Sequence, residues 1–262
     1  MSDLEDDPDL KKFEDDSGDI RPIDVAGNAE AKLRRAADEI RAGGLREKGP
    51  SVAPGDELFA EDEDKARNIV KQGDFLDLLK LVPSLTEISV GAGWELKNLE
   101  GDKIDMDLSC FLIDKTNQTR TDDDFVFYNQ PLTLEGAVKH MGDSRTGDGD
   151  GDDEEIFLDL NGIPFDIIRI ALVLSIYDDA TKGWHFGMVK DVFLRLVDKT
   201  EGREILRVLI DDEKFRGQTA ILVGSLLREG PKWFFEVSEK PVPGGLAAVA
   251  KQHGIIVRED TG

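Results

Sequence analysis

From residue 68 onward, apolar side chains come in short runs that alternate with polar ones, and Gly, Asp or Asn breaks the runs every few residues. A period of two sends successive side chains to opposite faces of a strand, and enrichment in Val, Ile, Phe and Trp suits a pleated, half-buried surface. Nine segments read as strands: "EISVGAGW" (87–94), "IDMDLSCFLI" (104–113), "DFVFY" (124–128), "IFLDL" (156–160), "IIRIALVLSIY" (167–177), "DVFLRLVD" (191–198), "REILRVLI" (203–210), "QTAILVGSLLRE" (218–229) and "KWFFEV" (232–237). That many strands without long helical patterns between them predict two packed sheets, a mainly β protein built as a β-sandwich. Near the end, "GGLAAVAKQHG" (244–254) changes to helical spacing, with Leu246, Val249 and Ala250 on one face and Gly254 placed to stop it. A C-terminal helix is therefore predicted to close the sandwich.

Residues 1–67 read differently. They hold 20 acidic and 11 basic side chains, include Pro22, Pro50 and Pro54, and offer few large apolar residues. Such a segment cannot bury enough surface to offset the entropy of ordering it, so an acidic, largely disordered N-terminal extension is predicted. Within it "NAEAKLRRAADEIRAGG" (28–44) has Asn28 as an N-cap and Gly43–Gly44 as a stop, giving one short helix with a thin apolar stripe. The expected division is thus an extension at 1–67, a β domain at 68–258 and a short tail at 259–262.

The 262-residue chain carries 56 acidic against 33 basic side chains, a formal charge of -23. That field repels nucleic-acid phosphates and anionic lipid and favours cationic partners, either metal ions or basic protein patches. The N-terminal "MSDLEDDPDL" lacks the features of a secretory signal, and no apolar run approaches the roughly 18 residues of a membrane span, so a cytoplasmic protein without direct membrane insertion is expected. The single cysteine, Cys110, suits a reducing compartment and cannot by itself supply a zinc site. It alternates with Leu108 and Leu112 and reads as a small buried hydrophobe.

The densest chemistry lies in "GDSRTGDGDGDDEE" (142–155), where Asp143, Asp148, Asp150, Asp152, Asp153, Glu154 and Glu155 meet one base, Arg145. Gly147, Gly149 and Gly151 alternate with the acids and permit turns that bring backbone carbonyls inward. Upstream, "DKIDMDLSCFLID" (102–114) puts Asp105, Asp107 and Ser109 on the face opposite Ile104, Met106, Leu108, Cys110 and Leu112. Same-face carboxylates two residues apart lie about 6 to 7 Å from each other, near enough to share one cation shell or two adjacent ones. With strand-like "DFVFYN" before the loop and "IFLDLN" after it, a cage for a hard cation is a better reading than a solvated tip. Oxygen donors of this kind suit Ca²⁺, with Mg²⁺ as the alternative. The EF-hand rule is not met, because counting from Asp148 puts Asp153 where that loop needs glycine.

Taken in order, "VGAGWE" (90–95), "DMDLSCFLID" (105–114), "DDFVFYNQ" (123–130), "GDSRTGDGDGDDE" (142–154), "FGMVKDVFLRLVD" (186–198), "WFFEV" (233–237) and "GGLAAVAKQHGIIV" (244–257) resemble the TerD family of bacterial tellurium-resistance and calcium-binding stress proteins. The resemblance implies a β-sandwich with two adjacent calcium sites at one end. Carried over by matching position, it implies metal ligation by Asp105, Asp107, Asn129, Asp143, Asp152, Asp153 and Glu154, with Asp148 and Asp150 as further donors. Ser144 stands where typical members have Asn, which exchanges an amide oxygen for a hydroxyl. The extension at 1–67 falls outside the resemblance.

Two functions are thereby raised. One is a non-catalytic, calcium-dependent binding or scaffolding module in tellurite and chemical stress resistance, working with other proteins of a stress-resistance assembly that is peripherally associated with the inner membrane. The alternative is a metal-dependent phosphoester hydrolase or phosphotransferase using paired ions at the same carboxylates. The sequence favours the first: His140, His185 and His253 are scattered, and no P-loop, nucleophile elbow or H-E-x-x-H pattern accompanies the acids. Trp94, Trp184 and Trp233, all in strand contexts, read as packing residues.

Overall fold

The computed structural model describes residues 68–97, 104–143, 151–176 and 182–256. In chain order the elements are β1 (Ile69–Val70), β2 (Phe75–Asp77), α1 (Leu78–Leu81), β3 (Glu87–Leu96), β4 (Met106–Asp114), β5 (Phe125–Val126), β6 (Leu132–Thr133), β7 (Val138–Asp143), β8 (Glu154–Asp159), β9 (Ile167–Ile176), β10 (Val189–Asp198), β11 (Arg203–Leu209), β12 (Ala220–Glu229), β13 (Lys232–Pro241) and α2 (Gly245–Gln252). They form two sheets, a seven-stranded one ordered β1-β11-β10-β3-β8-β7-β6 and a six-stranded one ordered β2-β13-β12-β9-β4-β5. The predicted β-sandwich with a C-terminal helix is what the chain adopts.

Alternation decides what lies between the sheets. Ile88, Val90 and Ala92 of β3, Ile156 and Leu158 of β8 and Leu194 and Leu196 of β10 face Met106, Leu108, Cys110 and Leu112 of β4 and Leu172 and Leu174 of β9 in one buried core. Cys110 is a free, buried thiol, and burial pushes its pKa well up, so it packs as a hydrophobe. Trp233 is also buried there, and Trp94 and Trp184 pack against the same core from partly exposed positions.

The opposite face of the six-stranded sheet is apolar too, which the alternation in β4 does not announce. Phe111, Ile113, Phe125, Ala171 and Val173 form a second cluster under Val249 and Ala250 of α2, with Leu246 packed against it. Phe111 stacks on Phe125 at 4.3 Å between ring centroids, and Phe125 on Phe127 at 4.4 Å. The helix ends as predicted: Gly254 takes φ 89°, its N–H donates to the Lys251 carbonyl and the Ile255 N–H reaches back to Ala250.

Strand register shows which ends coincide. In the six-stranded sheet Met106 pairs with Ile176 and Ala220 with Ser175; in the other, Val189 pairs with Leu96 and Glu154 with Ala92. A hydrogen bond from Phe186 N to Gln218 O, 3.0 Å, ties the approach to β10 to the approach to β12. The starts of β4, β8, β10 and β12 therefore share one end of the sandwich.

The segment read as strand 124–128 is shorter than expected, because a reciprocal pair of bonds between Phe127 and Gln130 turns the chain after Val126. It also does not flank the acidic loop: the chain crosses to the other sheet, forms β6 and β7, and enters the loop from β7. Asp143 and Glu154, read above as loop residues, are a paired rung of the β7–β8 ladder. The expected helix at 28–44, the rest of the extension and residues 257–262 lie outside the described residues.

His253, at the C-cap of α2, is buried beside Phe111, with Nδ1 3.1 Å from the Asn117 carbonyl oxygen. Burial lowers its pKa, the bond to Asn117 opposes this, and Arg169 adds to the lowering. A histidine with a depressed folded pKa favours folding while both states are neutral, and that contribution is lost as pH falls below the unfolded value of about 6.5 toward the folded one. The thermal midpoint should therefore drop between pH 7 and pH 5, and His253→Gln, which cannot charge, should flatten that part of the profile; an identical slope in the variant would assign the effect elsewhere.

Candidate functional site

The end of the sandwich that carries the starts of β4 and β8 also carries most of the predicted metal ligands. Asp105 precedes β4 and is exposed, whereas Asp107, inside β4, is buried on the outer face of the six-stranded sheet. Asn129 is exposed in the 127–130 turn, which leads from β5 to β6 and so links the two sheets. The turn sits next to β7, since the His140 N–H donates to Pro131 O at 2.7 Å. Asp143 ends β7, and Asp152, Asp153 and Glu154 lead into β8. Asp148 and Asp150 lie outside the described residues. Among the described residues, no three His, Cys, Asp or Glu side chains stand together as a metal-holding group.

The three acids that close the loop are each held differently. Asp152 swings onto the outer face of the seven-stranded sheet, where Arg195 of β10 grips it with two bonds, Nε to Oδ1 at 2.7 Å and Nη2 to Oδ2 at 3.1 Å. Burial pushes the Asp152 carboxyl above its ordinary range, and Arg195 offsets only part of that. Asp153 folds back on β3: its N–H donates to Ala92 O at 2.8 Å, and its Oδ2 accepts from Trp94 N at 2.9 Å. Glu154 points inward, its Oε2 standing 2.7 Å from His140 Nε2, with both side chains almost wholly buried. The His140 Nδ1 accepts from the Gly142 N–H at 3.2 Å, so Nε2 is the ring nitrogen left to face Glu154. Glu155 returns to the outer face, where burial raises its pKa but Lys199 at 2.8 Å and Ser89 at 2.6 Å outweigh it and hold the carboxyl below its ordinary range.

Alternation thus leaves the carboxylates of Asp107, Glu154 and Asp152 on three surfaces of one end: the outside of one sheet, the interior, and the outside of the other sheet. The glycines of "VGAGW" explain how Asp152 fits. A Cβ on Gly91 would lie 2.0 Å from Asp152 Oδ2, and one on Gly93 would lie 2.6 Å from the Phe193 ring. Sequence spacing could not reveal Arg195 or Trp94 as partners, because they lie 43 and 59 residues from the acids they hold. A lone arginine at an outward position of a long strand was the available signal.

The model of the TerD domain family matches residues 68–253. The chain belongs to the TerD family. It is 36% identical to a tellurium resistance protein TerD of Serratia marcescens over 186 residues, which are 71% of this chain and 96% of that protein. It is 38% identical to YceE, an uncharacterized protein of Bacillus subtilis, over 72% of this chain and 98% of that one. General stress protein 16U of the same organism matches at 35% identity over 71% and 96%. The fold is shared with the crystal structure of a TerD homologue from Streptomyces coelicolor A3(2), with a TM-score of 0.52 at 19% identity, covering 64% of this chain and 96% of that one.

For this TerD domain the glycine trough yields a direct expectation. Gly91→Ala should force the Asp152 carboxylate off Arg195 and destabilise the fold by about 1 to 3 kcal/mol, read from the denaturation midpoint. In an Asp152→Ala background the same substitution should cost much less; equal costs in both backgrounds would show that the glycine serves the strand and not the carboxylate.

Proposed function

We propose that the TerD domain of this chain is a non-catalytic calcium-binding module that serves in tellurite and general stress resistance. The observation that carries the reading is topological: the start of β4, the 127–130 turn and the β7–β8 connection bring the acid-rich segments to one end of a single sandwich. The donors there are carboxylates and an amide oxygen, which suit a hard cation, while the one thiol is buried in the core and the imidazole of His140 faces Glu154. The resemblance names Asp105, Asp107, Asn129, Asp143, Asp148, Asp150, Asp152, Asp153 and Glu154 as donors for two ions; because Asp107, Glu154 and Asp152 face three different surfaces here, a shared shell would require their carboxylates to turn toward the rim on binding. Bound calcium supplies the positive charge that lets carboxylates from separate segments approach without repulsion. The stress role is supported by relatives bearing the names tellurium resistance protein and general stress protein.

With a strongly acidic surface, the partners that this reading favours are basic patches on other proteins of a stress-resistance assembly, and nucleic acid is disfavoured. Among the described residues no helix is long and apolar enough to cross a membrane.

Calorimetric titration of the chelator-stripped full chain should give tighter binding of Ca²⁺ than of Mg²⁺. Asp105→Asn with Asp107→Asn should weaken it at least about tenfold, a loss of about 1.4 kcal/mol. Asp3→Asn with Asp6→Asn in the extension should leave it unchanged. Equal losses in the two pairs would mean bulk charge and no cage; a preference for Mg²⁺ would bring the phosphoester hydrolase reading forward. Chelation should also lower the thermal midpoint, since calcium at 100 times its Kd adds about 2.7 kcal/mol to the native state.

A further inference from the structure

The two sheets differ in what lies on their outer faces. On the six-stranded sheet α2 packs over β9 and β12 and closes Phe111, Ala171 and Val173 away from water. The seven-stranded sheet keeps apolar side chains in the open, at both lateral margins of its outer face. Ile69 and Leu209 stand at one margin beside half-buried Phe193, and Leu132 and Met141 stand at the other beside half-buried Phe157, the four aliphatic side chains being 38% to 56% exposed. Between the margins the charges balance. Arg195 bonds Asp152 and reaches Glu204 Oε2 at 3.2 Å, Arg207 gives Glu204 two bonds at 3.0 and 2.7 Å, and Lys199 holds Glu155. Lys139, lying over the Phe157 ring at 5.8 Å, adds one more cation. In a chain of formal charge -23, this is a broad area where each of these carboxylates already meets a base.

We propose that this face is the contact between two copies of the chain, packed face to face about a two-fold axis that lies over β3 and runs along the strands. Strongly acidic copies repel, so they can meet only where each presents little net charge, and arginines and aromatic rings are the side chains that anchor such contacts. Register then selects the axis. In one row across the sheet Glu204, Val197, Ser89, Phe157, Lys139 and Leu132 are successive partners. In the next row Ile69, Arg207, Arg195, Gly91 and Glu155 are. Because β3 is the middle strand of seven, the rotation exchanges β10 with β8, β11 with β7 and β1 with β6 while keeping each row at its level. Arg195 of one copy then faces Glu155 of the other, Glu204 faces Lys139, Val197 faces Phe157, and the Ile69 margin covers the Leu132 margin. An axis across the strands would set Lys139 against Lys139. Seven strands about 4.8 Å apart, the longest of ten residues, give a face on the order of 700 Å², near the roughly 800 Å² per partner of a standard-size interface. The arrangement points the acid-rich ends of both copies the same way, and it holds whether or not those ends bind calcium.

The test is sedimentation velocity of the full chain, in chelator, from low to high micromolar concentration. Wild type should pass from monomer to dimer across that range and form nothing larger, because a two-fold contact closes on itself. Ile69→Glu and Leu132→Lys each bury a charge at the contact and should each weaken the dimer about tenfold or more. Together they set Glu against Lys across the axis and should recover association to within about threefold of wild type, whereas Ile69→Lys with Leu132→Lys should recover nothing. Phe165→Ser changes a more exposed side chain away from this face and should leave the dimer unchanged, and the thermal midpoint of each variant confirms that it folds. Three outcomes would overturn the proposal: a wild-type chain that stays monomeric throughout, Phe165→Ser weakening the dimer as much as Leu132→Lys, or the Glu–Lys double variant dimerising no better than its single parents.

Discussion

Gathering carboxylates at one end of a β-sandwich creates repulsion that something must offset, and much of the local structure answers that demand. Two like charges 4 Å apart cost about 1 kcal/mol in bulk water and about 4 at an effective dielectric of 20. The chain meets this by dispersing the acids that close its loop. Asp152 goes to an arginine on one sheet face, Asp153 to a backbone N–H, Glu154 to a histidine in the interior, and Glu155 to a lysine back on the outer face. Four consecutive acids therefore meet four different partners, and strand alternation keeps neighbours in sequence from being neighbours in space.

This dispersal depends on β3 more than on the loop. The strand contributes two glycines that clear room for Asp152 and Phe193, a backbone carbonyl and N–H that hold Asp153, and Ser89, which bonds Glu155. A motif that looks like a flexible interruption in an otherwise regular strand is thus a bed shaped for side chains arriving from elsewhere. Glycine weakens a strand by leaving nothing to pack. Here the vacated space is filled by a carboxylate and an aromatic ring from other segments, which recovers part of what the glycines forgo.

The parts of the fold that were legible in the sequence are those where one local pattern runs long enough to be periodic. The strands β3, β4, β9, β10, β12 and β13 each span nine or ten residues and carry the β-branched and aromatic side chains that mark them. By contrast β1, β2 and β6 have two or three residues, too few to show a period, and β7 reads "VKHMGD", in which only Val138 looks like a strand residue. The second apolar cluster was hidden for another reason: Phe111 and Ile113 follow Asp107 and Ser109 on one face of β4, so a face that begins polar ends under a helix. At the candidate site the acids themselves were visible and their partners were not. The pairings of Asp152 with Arg195 and Asp153 with Trp94 exist only after β3 and β10 have come together, and no spacing rule encodes that.

The outermost strands carry a consequence for how copies of this protein behave toward one another. Among the described residues both sheets finish, on each side, in a strand of only two or three residues: β1 and β6 in one, β2 and β5 in the other. An exposed strand offers unpaired backbone groups as a template for another chain, and the length of that template sets the danger of edge-to-edge polymerisation. Two broad sheets of long, strongly apolar strands would be a serious liability with long rims. Terminal strands this short offer a foreign strand only a few hydrogen bonds of their own before the chain turns away, which limits edge-to-edge growth along the stretches they cover.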